Sequence, residues 1–167
     1  MADYKDPENT LIIETSRGPV VIEMRPDLAP KHVEHIKTLA REGKYDGVVF
    51  HRVIDGFMAQ TGDVKHGNSK GDTSRAGQGG SDYPNLKQEF SPEPHVRGTV
   101  SMARAQSPDS ANSQFFIVFD DARFLDRQYT VWGKVIEGMD NVDQIKRGEP
   151  VRDPDTMVSV KVAADVK

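Results

Sequence analysis

The sequence predicts a mainly β fold, a closed antiparallel barrel of about eight short strands capped by two α-helices. Short runs of alternating apolar and polar residues, such as residues 19–25, recur along the chain and are typical of half-buried strands. Asp55-Gly56 separates two such runs and is a strong hairpin signal. Only two segments space their apolar residues as an amphipathic helix does.

The first half of the chain is predicted to hold two hairpins and one helix. Strands at 11–16 and 19–25 form the first hairpin, and residues 48–63 form the second. Pro30 begins the helix, where its missing N–H costs nothing, and Gly43 ends it. The apolar stripe of this helix consists of Val33, Ile36, Leu39 and Ala40.

The second half is predicted to hold four strands and one helix. The strands lie at 96–104, 114–119, 130–136 and 157–163, and the last of them is expected to place Val158, Val160 and Val162 on one face. Met139, Val142 and Ile145 mark the helix, which Gly148 ends. Trp132 is expected to pack in the core.

The composition is that of an ordinary folded protein. Of its 167 residues, 36% are hydrophobic and 29% charged, and the formal net charge is −4. We therefore expect one domain, residues 10–167, after a flexible polar leader, residues 1–9. The charge argues against nucleic-acid binding, and zero cysteine residues exclude a thiolate nucleophile, a disulfide framework and a cysteine-ligated zinc. Without a long apolar run or a hydrophobic leader, we expect a cytoplasmic monomer that binds no membrane.

The second predicted hairpin places one cation within an apolar stretch. Arg52 lies among Val, Phe and Ile residues, and pairing across the turn would bring it close to Phe57, Met58 and Gln60. A surface arginine whose stem covers apolar residues is the simpler interpretation. A charge inside an apolar run is costly without partners, however, which favours a site with a fixed cation beside an apolar floor.

Residues 64–88 form a long glycine-rich segment with few apolar residues. A loop of this length in a folded domain is usually functional or mobile. The stretch 77–80 reads Gly-Gln-Gly-Gly, but it lacks the lysine and the following helix of a phosphate-binding loop. Backbone permissiveness explains these glycines better.

Histidines are not favoured as catalytic or metal-binding groups. His32 and His35 lie three residues apart on the first predicted helix, but no third ligand is near in sequence, so two solvated histidines are the better interpretation. His51 precedes Arg52 and therefore points to the opposite face of the sheet, where a buried, hydrogen-bonded ring is favoured over a catalytic base.

Residues 50–60, 97–105 and 112–117 carry three ordered motifs. They read Phe-His-Arg-Val-Ile-Asp-Gly-Phe-Met-Ala-Gln, Arg-Gly-Thr-Val-Ser-Met-Ala-Arg-Ala and Asn-Ser-Gln-Phe-Phe-Ile. Together they resemble the cyclophilin family of peptidyl-prolyl cis–trans isomerases, and the resemblance extends from about Leu11 to Val162. It implies an eight-stranded barrel with a helix across each end and an active site on the outer face. It also implies no cofactor, no metal, and proline-containing peptides and unfolded or folding proteins as partners.

The resemblance implies that Arg52 is the catalytic residue. It implies a pocket for the substrate proline formed by Phe57, Met58, Phe116 and Leu125. It implies polar borders at Gln60 and Gln114, and a lining for the residue before proline at Ala103, Arg104 and Ala105. Phe124 and Tyr129 stand at the rim.

Position alone supports only part of this set. Phe116 follows Phe115 on a predicted strand, so only one of the two can face the core, and an outward aromatic favours a pocket. Met58, taken alone, is equally well explained as core filler.

The chain departs from the best-known eukaryotic cyclophilins at three of these positions. It carries Phe124 where they have Trp, Tyr129 where they have His, and Arg104 where they have Asn. The 97–104 motif and the short 43–48 segment resemble bacterial members. Because Phe124 has no indole N–H, we expect only weak binding of cyclosporin, a cyclic peptide that many cyclophilins bind.

The predicted activity is rotation about X-Pro peptide bonds, which assists protein folding. A proline-peptide-binding module without turnover is the alternative, although such a module would not need Arg52 at the prolyl nitrogen. A barrel that holds a small apolar ligand inside is a third alternative, and it is excluded if side chains fill the interior.

Overall fold

The computed structural model describes residues 4–166, which form nine β-strands and two α-helices. The helices are α1, Pro30–Arg41, and α2, Met139–Asp143. The strands are β1 Thr10–Thr15, β2 Gly18–Met24, β3 Val48–Val49, β4 Arg52–Ile54, β5 Met58–Thr61, β6 Thr99–Met102, β7 Phe115–Val118, β8 Val131–Glu137 and β9 Thr156–Val162. The predicted mainly β class with two helices is confirmed.

The strands form one sheet in the order β3-β9-β1-β2-β8-β6-β7-β5-β4. Every pair of neighbours is antiparallel. The two edge strands, β3 and β4, are consecutive in the chain and are separated only by Phe50 and His51. The sheet is therefore curled, and the chain itself passes from one edge to the other.

The expected closed barrel of eight strands is wrong, because the first run of the predicted hairpin, 48–54, is split into β3 and β4. The two residues between them direct their backbone groups outside the sheet. The Phe50 N–H donates to the Asp155 carbonyl at 2.9 Å, and the His51 carbonyl accepts from the Val151 N–H at 3.0 Å. Within residues 4–166 no ladder joins β3 to β4, so nine strands form an open, curled sheet.

The predicted hairpin around Asp55-Gly56 is confirmed. Gly56 has a φ of 74°, a left-handed conformation that glycine adopts without a Cβ penalty. The strands pair with Arg52 opposite Gln60 and Ile54 opposite Met58. Directly opposed residues on an antiparallel pair project from the same face, so Arg52 and Gln60 lie side by side.

Helix α1 begins at Pro30 and ends at Arg41, and its predicted apolar stripe is buried in the core. Helix α2 is shorter than predicted, and the Arg147 side chain donates to carbonyls that lack a helical partner at and after its end. Its Nη1 donates to Asp143 O at 2.6 Å and to Ile145 O at 2.7 Å. Neither helix in the described part of the chain is long and apolar enough to cross a membrane.

Aromatic side chains fill the interior of the curled sheet. Trp132, Phe115 and Tyr45 are fully buried, which confirms the core position predicted for Trp132. The Phe115 ring meets Trp132 and Tyr45 edge-on, with ring centroids 5.3 and 5.6 Å apart. A barrel that holds an apolar ligand inside is therefore excluded.

The prediction that Val158 lies on the same face of the last strand as Val160 and Val162 is wrong. The pairing of β1 with β9 shifts there, because Glu14 lies opposite Ser159 whereas Thr15 lies opposite Met157. Val158 is the extra residue of this bulge, and it is 58% exposed. Met157 takes its place in the core beside Val160.

The interpretation of two solvated histidines on α1 is wrong for His32, which is fully buried. Its Nδ1 lies 2.6 Å from Glu89 Oε1, and burial lowers the pKa of the ring although Glu89 opposes this. His35 is half-buried and meets the Tyr83 ring edge-on, with centroids 5.6 Å apart. His32 therefore connects α1 to Glu89, and His35 packs α1 against Tyr83 of the glycine-rich segment.

The predicted leader falls partly outside the described residues, since 1–3 are not among them. Pro7–Asn9 form a 3-10 turn. Glu8 in this turn pairs with Lys37 Nζ at 2.8 Å and Arg41 Nη2 at 2.9 Å, both on α1. The division into a leader and one domain stays a prediction.

Candidate active site

Most of the residues predicted for the site converge on one surface cavity of about 560 Å³. A second cavity of about 420 Å³ adjoins it and shares Gln60, Ala103 and Arg104 with it. Ten of the predicted residues line the first cavity, namely Arg52, Phe57, Met58, Gln60, Ala103, Arg104, Phe116, Phe124, Leu125 and Tyr129. Ala105 and Gln114 line the second.

The floor of the first cavity is a small apolar cluster that is separate from the main core. Met58, Phe116 and Leu125 belong to it, together with buried Val118 and Ala122. Met58 lies on β5, Phe116 and Val118 lie on β7, and Leu125 lies in the 3-10 turn Arg123–Leu125, which Ala122 precedes. The floor is therefore built from two neighbouring strands and the turn that follows the second of them.

Neighbouring aromatic residues on β7 point in opposite directions, as predicted for a strand. Phe115 packs in the main core, and Phe116 belongs to the cavity floor. Phe116 also meets the Tyr129 ring edge-on, with centroids 5.8 Å apart. The prediction that one aromatic of the pair leaves the main core is confirmed.

Arg52 lies at the mouth of the cavity, with 40% of its side chain exposed. Its Nη1 donates to Gln60 Oε1 at 3.2 Å, and its Nε donates to Glu149 Oε2 at 2.7 Å. Two acceptors from different parts of the chain thus hold the guanidinium plane. Within residues 4–166, Nη2 makes no hydrogen bond, so one nitrogen remains free to donate to a bound peptide.

A chain of amide groups connects Arg52 to the glycine-rich loop. Because Arg52 can only donate, the Gln60 oxygen must accept, and Gln60 Nε2 then donates to Gln114 Oε1 at 2.9 Å. Gln114 Nε2 in turn donates to the carbonyls of Gly77 at 3.0 Å and Gly79 at 2.9 Å. Each amide therefore has one orientation, and the network fixes the polar edge of the cavity.

The glycine-rich loop is wrapped around a buried carboxylate of the chain itself. Asp63 accepts from the backbone N–H groups of Lys65, His66, Gly77 and Gly79 at distances of 2.8–3.0 Å. Burial would raise the pKa of Asp63, but these four donors outweigh it and lower the pKa. Asp63 thus anchors the segment that carries Gly77 and Gly79.

Arg104 directs its guanidinium to backbone carbonyls. Nε and Nη2 donate to Gln128 O at 3.1 and 2.8 Å, and Nη1 donates to Ala105 O and Gln106 O at 3.0 and 3.1 Å. Its plane also lies over the Tyr129 ring, 4.6 Å from the centroid. Arg104 therefore ties together two loops that border the site, which the sequence did not predict.

Two neighbouring residues of the 3-10 turn lie at different parts of the cavity, Phe124 at the rim and Leu125 in the floor. Phe124 is 67% exposed, and its ring centroid lies 5.6 Å from that of Phe57. Leu125, the next residue, is buried in the floor. Phe124 therefore lies at the rim of the cavity and Leu125 in its floor, and their roles in binding stay a prediction.

Comparisons with known proteins decide the family. The family model described as "Cyclophilin type peptidyl-prolyl cis-trans isomerase/CLD" matches residues 10–164. The chain belongs to the cyclophilin family. A relative from Brucella suis biovar 1, named "Probable peptidyl-prolyl cis-trans isomerase", is 61% identical and covers 99% of this chain and 88% of its own length. This cyclophilin is a peptidyl-prolyl cis–trans isomerase, as the motifs predicted.

Solved structures share the fold. The cyclophilin AquaCyp293 from Hirschia baltica has a TM-score of 0.85 and 32% identity, over 97% of this chain and 76% of its own. A cyclophilin-type isomerase of Cryptosporidium parvum, crystallised in the presence of the dipeptide Ala-Pro, has a TM-score of 0.79 and 26% identity. That match covers 92% of this chain and 98% of the other. The predicted cyclophilin fold is confirmed.

The first cavity is also lined by residues that were not predicted to belong to the site. Glu149 and Pro150 line the first cavity, as do His51 and the loop residues 76–78. His51 is buried as predicted, but neither ring nitrogen has a hydrogen-bond partner among residues 4–166, so the predicted hydrogen bond is wrong. Burial lowers the pKa of His51, which favours the neutral ring.

A serine, a histidine and an aspartate support the floor from below. His95 Nε2 lies 2.9 Å from Ser101 Oγ, and its Nδ1 lies 3.1 Å from Asp126 Oδ1. His95 and Ser101 are fully buried, so no substrate reaches them and a hydrolytic role is excluded. The His95 ring instead stacks on Phe116, with centroids 6.3 Å apart. No single motif contained these three residues, so only the folded chain reveals the set.

Proposed function

We propose that the cyclophilin rotates X-Pro bonds in the first cavity, with Arg52 as the catalytic residue. One observation carries the proposal: a guanidinium held on two sides stands at the mouth of an apolar cavity floored by Met58 and Phe116. Such a cavity accepts an apolar ring and brings the amide nitrogen of that ring to the cation.

The chemistry needs no nucleophile and no proton transfer. Amide resonance gives X-Pro rotation a barrier of roughly 18–20 kcal/mol and makes it slow. In the twisted state the nitrogen is no longer conjugated, and its lone pair can accept a hydrogen bond. A fixed, planar, permanently charged donor then stabilises the twisted state more than the flat one. Arg52 fits that role.

The magnitudes require more than Arg52. Shortening tens of seconds to about a millisecond needs on the order of 6–7 kcal/mol, whereas one charged hydrogen bond gives about 1.5–3 kcal/mol. The remainder is assigned to excluding water from the amide and to holding the proline ring while the preceding residue rotates. Phe57, Met58, Phe116 and Leu125 would grip the ring, and Gln60 would orient Arg52.

Catalysed isomerisation of a short Ala-Pro peptide tests the function. Wild-type protein is expected to accelerate cis-to-trans conversion in proportion to its concentration. Binding of the peptide without any acceleration would instead support the non-catalytic proline-binding module.

For partners, we propose proline-containing segments of unfolded or folding proteins, acted on by a monomer in a bacterial cytoplasm. The exposed rim and open mouth suit an extended chain, and the Cryptosporidium parvum protein was crystallised in the presence of Ala-Pro. The Brucella relative supports the bacterial source. A net charge of −4 argues against nucleic acid as a partner.

We predict that chelators and thiol reagents leave the isomerase rate unchanged. In the described part of the chain, no group of three or more histidine, cysteine or acidic side chains is placed to hold a metal ion. The sequence contains no cysteine for a thiol reagent to modify. The check is the peptide assay with and without chelator. Inhibition that added metal reverses would show that a metal site exists.

Cyclosporin is predicted to bind weakly. At the rim, Phe124 is exposed and keeps apolar area but lacks an N–H donor, so a ligand carbonyl stays poorly paired at a cost of roughly 1–3 kcal/mol. That corresponds to about one to two decades of affinity. Tyr129 compensates only if its hydroxyl reaches the same carbonyl.

The measurement is a cyclosporin titration of wild type and Phe124→Trp, followed by loss of isomerase activity. The Trp variant is expected to bind more tightly while its peptide turnover stays close to wild type. Equal affinity of the two proteins would refute the argument from the missing donor.

A further inference from the structure

The segment that follows α2 is bound along the free edge of β4. Val53 and Gly148 exchange both backbone hydrogen bonds, each 2.8 Å long. Nearby, the N–H of Val151, three residues after Gly148, donates to the carbonyl of His51, two residues before Val53, at 3.0 Å. Glu149 lies between these two anchors. Its backbone is therefore held directly beside Arg52.

The Glu149 side chain completes the support of the guanidinium. Its Oε2 accepts from Arg52 Nε at 2.7 Å. Gln60, which lies on β5, accepts from Arg52 Nη1. Gln60 is itself held by Gln114, so one side of the plane is fixed by the sheet and the other by the segment after α2. Two acceptors on different edges of the guanidinium leave it little rotational freedom.

We propose that Glu149 is a positioning residue for Arg52 and that it also sets the charge preference of the site. This rests on the role proposed for Arg52. Glu149 acts on the reaction only through the guanidinium, because a carboxylate has no N–H to offer the prolyl nitrogen.

The charge preference follows from the lining of the cavity. Arg52 and Arg104 are its two arginines, and Glu149 is its one acidic residue within the described chain. The Glu149 side chain is 59% exposed at the mouth, so it faces arriving peptides as well as Arg52. It disfavours acidic residues beside the substrate proline, and its removal leaves two arginines that attract them.

The experiment compares Glu149→Ala and Glu149→Gln with wild type in the peptide assay. Glu149→Ala removes both acceptor and charge, and kcat/KM is expected to fall about fivefold, chiefly in kcat, because a loosely held donor is misplaced in the twisted state. Glu149→Gln keeps an acceptor oxygen, and kcat is expected to stay within about twofold of wild type on an uncharged peptide. With either variant, the rate ratio of a Glu-Pro peptide to a Lys-Pro peptide should rise about threefold, a change that misfolding does not produce.

The control is Asp55→Asn. Asp55 lies in the same hairpin as Arg52 and pairs with Arg147 at 3.1 Å. Its side chain is 84% exposed and does not line the cavity. This variant removes an equivalent carboxylate and is expected to leave both the rate and the charge preference unchanged.

A double-mutant comparison separates positioning from a general structural effect. If Glu149 acts through Arg52, Glu149→Ala should cause no further loss in an Arg52→Ala background. A normal rate and a normal charge preference for Glu149→Ala, or the same fivefold loss in both backgrounds, would overturn the proposal. Failure of the Arg52 role itself would show separately, as an Arg52→Ala variant with wild-type activity.

Discussion

Arg52→Ala is expected to keep its fold and to lose a factor of about ten to a few hundred in kcat/KM, which is what one charged hydrogen bond represents. The fold should survive because the side chain is 40% exposed at the mouth of the cavity and belongs to neither buried cluster. The activity should fall because, among residues 4–166, Arg52 is the side chain that donates to both Gln60 and Glu149 at the mouth of the cavity. The measurement is the rate of peptide isomerisation together with the thermal unfolding midpoint.

Two variants sharpen this result. Arg52→Lys is also expected to be poor, because the charge stays but the planar fork that reaches Gln60 and Glu149 together is lost. Arg17→Ala is the matched control, since Arg17 pairs with Asp155 at 3.0 Å on the surface and lines neither cavity of the site. A folded Arg52→Ala protein with a near wild-type rate would remove Arg52 from the mechanism.

Asp63→Asn is expected to destabilise the protein by about 2–5 kcal/mol. The single amide oxygen of Asn cannot accept all four backbone N–H groups, and the NH₂ group of Asn would face the N–H groups that lose their acceptor. For a chain of this size the unfolding midpoint should fall by roughly 5–15 °C. Activity should fall as well, since the loop that Asp63 anchors supplies the carbonyls that hold Gln114. Thermal unfolding and the peptide assay measure the two effects.

The pH dependence of this variant has a definite sign. The pKa of Asp63 is lowered in the folded protein, so the carboxylate stabilises the fold above its ordinary pKa of about 4. That stabilisation is lost as the pH falls through the folded-state pKa. The stability difference between wild type and Asp63→Asn should therefore be largest at neutral pH and shrink below about pH 4.

Asp72→Asn serves as the control for Asp63. Asp72 lies in the same loop and accepts the Ser74 N–H at 2.9 Å, but it is exposed to solvent. Little change in stability is expected from it. An Asp63→Asn protein as stable as Asp72→Asn would show that the glycine-rich loop does not depend on the buried carboxylate.

Local sequence features predicted much of the site. The Asp55-Gly56 turn fixes the register that brings Arg52 beside Gln60, and alternation on β7 separates Phe115 from Phe116. These are short-range consequences of turn chemistry and strand geometry. The resemblance to cyclophilins added the residues on other elements, such as Leu125 and Tyr129.

Long-range backbone pairing accounts for what could not be predicted. Glu149 lies in a segment without periodicity, and it is brought to Arg52 by the backbone hydrogen bonds of Gly148 to Val53 and of Val151 to His51. The split between β3 and β4 likewise depends on bonds from Asp155 and Val151. The bulge at Val158 arises from a shift relative to β1, which the alternation within β9 does not show.

Because β4 does not pair with β3, one edge of β4 stays uncovered during much of the synthesis of the chain. β4 pairs with β5 soon after Arg52 emerges, but its other edge waits for Gly148 and Glu149, which come 96 and 97 positions after Arg52. At about 5–20 residues per second, roughly 5–20 seconds separate the two events on the ribosome. During that interval the hairpin carries an uncovered edge, which is the kind of surface on which strands of other chains add. We therefore expect the nascent isomerase to be a client for folding assistance before it can provide any.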